Sequence, residues 1–236
     1  MEISAVAVDI DGTITNSKRE LCISAIIALR EVEKKGIPVI IVTGNVLNFA
    51  YATATLIGCS GGLVCENGGI IYKKNQNNNK YQKLGDRTYI DLADAHIREK
   101  LDKKYELIHS SDDEFRLSER AYYKTIKTEI VLDAIKDFKY LDKIHIYDSG
   151  FAIHITNKNI NKGNSLKILC ENNNIDINKV LAIGDSGNDK EFIECAGFKV
   201  ALKNSDNYLK EISDYTCENK YGDGVKEALE KFVLGD

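Results

Sequence analysis

Several familiar features are missing from this 236-residue chain. No apolar run reaches the roughly 18 residues that a membrane-crossing helix needs. The first residues, MEISAVAVDIDGT, carry no basic leader and are interrupted by acids at once, so no signal peptide is expected and the chain is assigned to the cytoplasm. The six cysteines (Cys22, Cys59, Cys65, Cys170, Cys195, Cys217) form no C-x-x-C pair and are expected as reduced, buried small hydrophobes. The four histidines (His96, His109, His145, His154) never stand at H-x-x-x-H spacing, which leaves zinc without a site. A net charge of -4 and a pI near 5.7 give no broad positive surface for nucleic acid or anionic membrane. The first loop, DIDGTIT, has one glycine where a dinucleotide-binding turn needs three. No segment repeats at a fixed period, and a single proline argues against rigidified loops.

What is present is an alternation. Ile3 to Val8 is short, apolar and rich in β-branched residues, a buried strand that stops at Asp9. Ser24 to Lys35 has helical apolar spacing with Gly36 as its stop. Ile37 to Val42 is a second strand, Phe49 to Leu56 a second helix and Leu63 to Cys65 a third strand. This order predicts a doubly wound, parallel-sheet α/β core with Rossmann-like winding. Lys73 to Lys80 is a polar loop. Between residues 82 and 156 the alternation lapses. Helices are expected at Asp91–Lys104 and Glu129–Phe138, and a hairpin at Lys143–Tyr147 and Phe151–Thr156, turning at Asp148-Ser149-Gly150. Alternation resumes with a helix from Asn164, a strand at Val180–Ile183, a helix at Lys190–Cys195, a strand at Phe198–Ala201 and a closing helix at Val225–Leu234. The expected division is a discontinuous core, 1–81 and 157–236, and an inserted α+β cap, 82–156.

Four polar clusters fall at one edge of the expected sheet, where such folds bind ligands. Asp9 and Asp11 follow the first strand, and their mutual repulsion calls for a cation or a shared proton. Hard carboxylate oxygens suit Mg²⁺, and Gly12 permits a sharp turn. Thr43-Gly44-Asn45 offers a hydroxyl and free backbone N–H groups to a phosphate. Lys162, just before a helix, can neutralise phosphate charge. Asp185, Asn188 and Asp189 follow another buried strand and add oxygen ligands. Each cluster alone reads as ordinary loop chemistry; their joint order at one edge carries the argument.

DIDGT at 9–13, TGN at 43–45, KG at 162–163 and GDSGND at 184–189 resemble the four motifs of the haloacid-dehalogenase superfamily. ENGG at 66–69 and YGDGV at 221–225 are similar to its Cof-type branch, and the short cap is most similar to the archaeal phosphoglycolate phosphatases. The resemblance implies a Mg²⁺-dependent phosphatase acting on a small phosphorylated metabolite, with 2-phosphoglycolate foremost. It implies catalytic roles for Asp9 (nucleophile), Asp11 (general acid and base), Thr43 and Lys162. It implies substrate contacts from Thr43, Gly44, Asn45, Lys162 and Asn188. Metal ligands would be Asp9, Asp11 through its carbonyl, Asp185 and Asp189. A sugar-phosphate phosphatase of the same superfamily shares every motif, and a phospho-accepting receiver uses similar groups, though not with a cap. A monomer or homodimer is expected. Within the cap, Arg116 could grip a substrate carboxylate or be an ordinary surface arginine; Tyr122, Tyr123 and His154 stand open in the same way, and none of the four is assigned to the site.

Overall fold

Strands buried on both faces explain the architecture. In β1 (Ala5–Val8) the pleat sends Val6 and Val8 to one side and Ala5 and Ala7 to the other, and all four are fully buried. The computed structural model describes residues 2–73, 81–150 and 152–235. The polar run beyond Lys73, expected as a loop, lies outside the described residues.

From β1 the chain passes through α1 (Ile23–Lys34), β2 (Val39–Val42), α2 (Leu47–Ile57), β3 (Gly62–Cys65), β4 (Ile70–Tyr72) and β5 (Tyr81–Lys83). A separate unit follows: α3 (Thr88–Lys100), β6 (Arg120–Tyr123), α4 (Thr128–Ile135), β7 (Ile144–Asp148) and β8 (Ala152–Asn157). The chain then returns through α5 (Lys162–Asn172), β9 (Val180–Gly184), α6 (Lys190–Cys195), β10 (Phe198–Ala201), α7 (Asn207–Ile212), β11 (Tyr215–Thr216) and α8 (Tyr221–Leu229).

The large sheet has the order β11-β10-β9-β1-β2-β3-β4-β5. Its strands from β11 to β3 run parallel. One face packs on α1, α2 and α8, the other on α5, α6 and α7. Winding leaves β1 in both directions, toward β2 on one side and β9 on the other, so the switch point lies between β1 and β9.

The sheet departs from the parallel expectation at one edge. β4 pairs antiparallel with β3, because the short turn Glu66–Gly68 reverses the chain directly after β3, and β5 pairs antiparallel with β4. β5 is exposed at all three residues, carries no alternation and ends the large sheet's first chain segment at Lys83. The helix expected at Asp91–Lys104 starts and ends earlier, at Thr88 and Lys100. The closing helix starts four residues before Val225. Gly222 and Gly224 are accepted in its first turn because Cys22 and Asn219 press too close for any side chain.

The smaller sheet, ordered β6-β8-β7, is antiparallel. Ile153 and Ile155 of β8 with Ile144 of β7 pack on Ile90, Ala93 and Ile97 of α3 and Val131 and Ile135 of α4. Its other face, bearing His154 and Tyr147, turns away from these helices. All six cysteines are free.

Candidate active site

The switch point brings two chain-distant acids together. β1 and β9 are paired neighbours, so Asp9 and Asp185, each directly after its strand, emerge side by side. Between them the backbone must bend sharply. Gly12 takes φ +79°, and a side chain there would meet the Asp185 carboxylate. Asp185 is held by Thr13 Oγ1, which donates to Oδ1 at 3.1 Å, and by Asn204 Nδ2, which donates to Oδ2 at 3.3 Å.

Asp189, fully buried, completes an acidic cluster. Its Oδ2 accepts the backbone N–H groups of Asp185 (3.0 Å) and Ser186 (3.1 Å). Oxygen atoms of Asp9, Asp185 and Asp189 lie within 4.8 Å of one another. Lys162, the first residue of α5, is 2% exposed and donates to Asp9 Oδ1 at 2.9 Å and to Asp189 Oδ1 at 2.6 Å. Burial opposes its charge, but Asp189 and Asp9 outweigh burial and lift Lys162 above the usual lysine range.

One ammonium does not balance three carboxylates. Burial, then repulsion from Asp189, raises Asp9 well above the carboxylate range despite Lys162. The same two causes push Asp185 up to about 7 against the hydrogen bond from Thr13. An all-oxygen cluster with excess negative charge fits a hard divalent cation such as Mg²⁺.

Asp11 points elsewhere. Its carboxylate accepts from Arg19 Nε at 2.7 Å and from Asn45 Nδ2 at 2.6 Å, outside the acidic cluster. Its expected ligand atom is the main-chain carbonyl, which does not require the side chain to join the cluster. Thr43 follows β2, and its Oγ1 accepts from the backbone N–H (3.1 Å) and Nδ2 (2.9 Å) of Asn45, which leaves the hydroxyl proton to donate. Asn45 thereby ties Thr43 to Asp11. Gly44 contributes its carbonyl to Arg116 Nη1 at 3.0 Å.

A cavity of about 470 Å³ lies beside Lys162 and Asn188, roofed by the β7–β8 turn. Asn188 accepts from Ser186 Oγ at its rim. Arg116 does not reach out to a ligand, nor is it a surface residue. It is 6% exposed, and its guanidinium is taken up by Glu119, by Asp112 at 2.7 Å and by Gly44. Burial works against the charge of Glu119, but Arg116 and then His154 hold its carboxyl below the usual range. Tyr122 bonds Asp94 of α3 at 2.8 Å, and Tyr123 accepts from Ser111 N at 3.1 Å.

Sequence reasoning missed the contacts that join the two sheets. Glu66 accepts from Ser118 N and Ser118 Oγ, both at 2.8 Å, and Asn67 Nδ2 donates to Glu119 at 3.0 Å. The ENGG segment flagged that corner, but its partners 52 residues away could not be read. Arg19 was missed because an exposed loop arginine carries no pattern.

The chain matches the haloacid dehalogenase-like hydrolase family over residues 6–133 and 84–229. It is 55% identical over 234 residues to a phosphoglycolate phosphatase of Methanobrevibacter smithii, covering 99% of this chain and 100% of the relative. Identity to a phosphoglycolate phosphatase of Methanothermobacter thermautotrophicus is 45%, covering 97% and 98%. The crystal structure of Thermoplasma acidophilum 0175 superposes with a TM-score of 0.87 at 25% identity, with both chains covered at 100%.

Proposed function

The chain belongs to the haloacid dehalogenase-like hydrolases and is a phosphoric monoester hydrolase, and on that premise we propose that it hydrolyses 2-phosphoglycolate through a phospho-aspartate on Asp9 with Mg²⁺ as cofactor. The observation that carries this reading is the buried cluster of Asp9, Asp185 and Asp189 bridged by Lys162 at the switch point. The names of the two methanogen relatives support the substrate.

Asp9, Asp185 and Asp189, with the Asp11 carbonyl, would hold Mg²⁺, which supplies charge screening between nucleophile and phosphate. An Asp9 carboxylate oxygen attacks phosphorus, and the bond to the leaving oxygen breaks. Lys162 Nζ and the Thr43 hydroxyl donate to the non-bridging oxygens and stabilise their growing charge. Asp11 gives its proton to the leaving glycolate oxygen. Its carboxylate then takes a proton from water, whose oxygen attacks the acyl phosphate, freeing Asp9 and inorganic phosphate. To meet the leaving group, the Asp11 carboxyl has to part from Arg19, an exposed pairing worth little. The cap closes the site over the cavity and limits entry of bulk water.

Phosphate release from phosphoglycolate and a panel of hexose phosphates, with Mg²⁺ and with EDTA, tests the reading. Preference for phosphoglycolate that EDTA abolishes is expected. Preference for a hexose phosphate keeps the mechanism and replaces the substrate. Full activity in EDTA makes the acidic cluster structural, and a stable phospho-protein without turnover marks a receiver.

A further inference from the structure

A turn beside the site carries a cation that the mechanism only sets aside. Just after the Gly12 bend, Thr15 bridges Leu21 antiparallel, and Asn16 closes the turn between them. The Asn16 N–H donates to the Glu20 carbonyl at 3.0 Å, and its Oδ1 accepts from the N–H groups of Lys18 at 2.9 Å and Glu20 at 3.1 Å. The left-handed residue of this turn is Arg19, at φ +63°, where Gly or Asn would serve the backbone better. The turn sends its guanidinium back over the site. Nε donates to Asp11 Oδ1 at 2.7 Å, and Nη2 donates to Asn45 Oδ1 at 3.1 Å with Asp11 Oδ2 at 3.5 Å. The same edge of the guanidinium thus already faces both oxygens of a carboxylate, the geometry of a two-pronged grip. The Phe49 ring flanks it, its centroid 5.8 Å from Cζ. The Arg19 side chain is 61% exposed, so a ligand arriving from solvent can reach it.

Phosphoglycolate brings a further carboxylate to a site whose acids already outnumber its cations, and a carboxylate leaving water needs a donor. Among the described residues, two side-chain cations bond the acids assigned to the reaction, Lys162 and Arg19. Lys162 is committed to Asp9, Asp189 and the phosphoryl oxygens. Arg116 is sealed in by Glu119, Asp112 and Gly44. Arg19 remains, and it holds the group that serves the leaving oxygen. In glycolate a single carbon separates that oxygen from the carboxylate. When Asp11 turns to the leaving oxygen, it vacates the guanidinium edge next to the substrate's own carboxylate. One carboxylate then replaces another, and the exposed pair given up contributes little.

We propose that Arg19 is a specificity-determining residue whose guanidinium passes from the Asp11 carboxylate to the carboxylate of the leaving group. This deepens the phosphoglycolate reading above and rests on it.

The test compares wild type and Arg19→Gln on phosphoglycolate and on ethyl phosphate, which has the same two carbons and no carboxylate. Both esters need the same proton from Asp11, so the ratio of their kcat/KM values cancels any effect that runs through Asp11. Expected is a roughly 10- to 100-fold fall in that ratio, the scale of a hydrogen bond between charged groups, carried by KM for phosphoglycolate with kcat within about threefold. An unchanged ratio overturns the proposal and leaves the phosphatase reading intact: with both esters slowed, Arg19 serves Asp11 only, and with neither slowed, it is a surface pairing. If the wild type cleaves phosphoglycolate but leaves ethyl phosphate intact, the phosphoglycolate kinetics decide: a rise in KM supports the grip, and a loss confined to kcat overturns it. A wild type that cleaves ethyl phosphate but not phosphoglycolate removes the carboxylate and overturns it too. A wild type that cleaves no ester at all removes the proposed function first and this inference with it.

Discussion

Gly12→Ala separates backbone strain from displacement of a ligand. Gly12 and Gly36 share nearly the same left-handed φ, +79° and +78°. A side chain in that region costs about 1–2 kcal/mol, or roughly 2–8 °C in Tm for a chain of this size. Gly36 has nothing within 4 Å of a new Cβ, whereas at Gly12 the Cβ would lie 2.3 Å from Asp185 Oδ2. Asp185 would have to retreat by about 1 Å to regain ordinary contact, against its bonds from Thr13 and Asn204. A 1 Å misplacement costs roughly 100-fold in rate, and disturbing a ligand's support costs roughly 10- to 100-fold in metal affinity. Both variants should therefore melt lower in EDTA. Only Gly12→Ala should lose kcat/KM and need more Mg²⁺ for half-maximal phosphate release. Wild-type kinetics in a Gly12→Ala protein whose Tm has dropped would refute the placement of Asp185 at the reacting centre.

Asp9→Asn should end turnover, by at least about 10³-fold, yet melt no lower than wild type without metal, because it removes a carboxylate whose ionisation burial and Asp189 oppose; a collapsed Tm would contradict the second half. Lys162→Ala should lower kcat/KM and cost roughly 3–5 kcal/mol in urea titration, since it strands two buried carboxylates; an unchanged kcat/KM would detach Lys162 from the phosphoryl group. In EDTA, Asp185 should make the wild type less stable as pH rises from about 4 to about 7. Its folded pKa lies above its ordinary one, so across that window the native state keeps a proton that the unfolded chain has given up, and each step up in pH favours unfolding. Melting curves of Asp185→Asn should lack this slope, and parallel curves for the two proteins would show that Asp185 does not titrate this way.

Much of the core was readable because burial on both faces writes unbroken apolar runs, as in AVAV, VIIV and VLAIG, and polar residues end each run abruptly. The structure gathers Asp9, Asp185 and Asp189 from two such boundaries and Lys162 from the first residue of α5. The edge strands were not readable. β5 is exposed throughout and β11 spans two residues, too little for any period to appear. Arg116 was misjudged for a different reason. Its partners Asp112 and Glu119 stand four before and three after it, but nothing in the order of residues says that the group is buried. The two faces of β7 had a usable signal in the alternation of IHIY, which assigns two isoleucines to one face and leaves His and Tyr on the other.

The central position of β1 also governs when the protein can exist. Ala5 pairs with Val180, so the fourth residue after the start waits for a strand 175 residues later. At 5–20 residues per second, synthesis leaves roughly 9–35 s in which one edge of β1 has no neighbour. Helices α1 and α2 can cover its face in that time but not its open ladder. Pairing so distant in sequence is slow to form, which makes this interval the one most exposed to wrong partners. It follows that no shortened chain ending before β9 can hold even a weak form of the site, because Asp9 would stand without Lys162's second anchor and without Asp185.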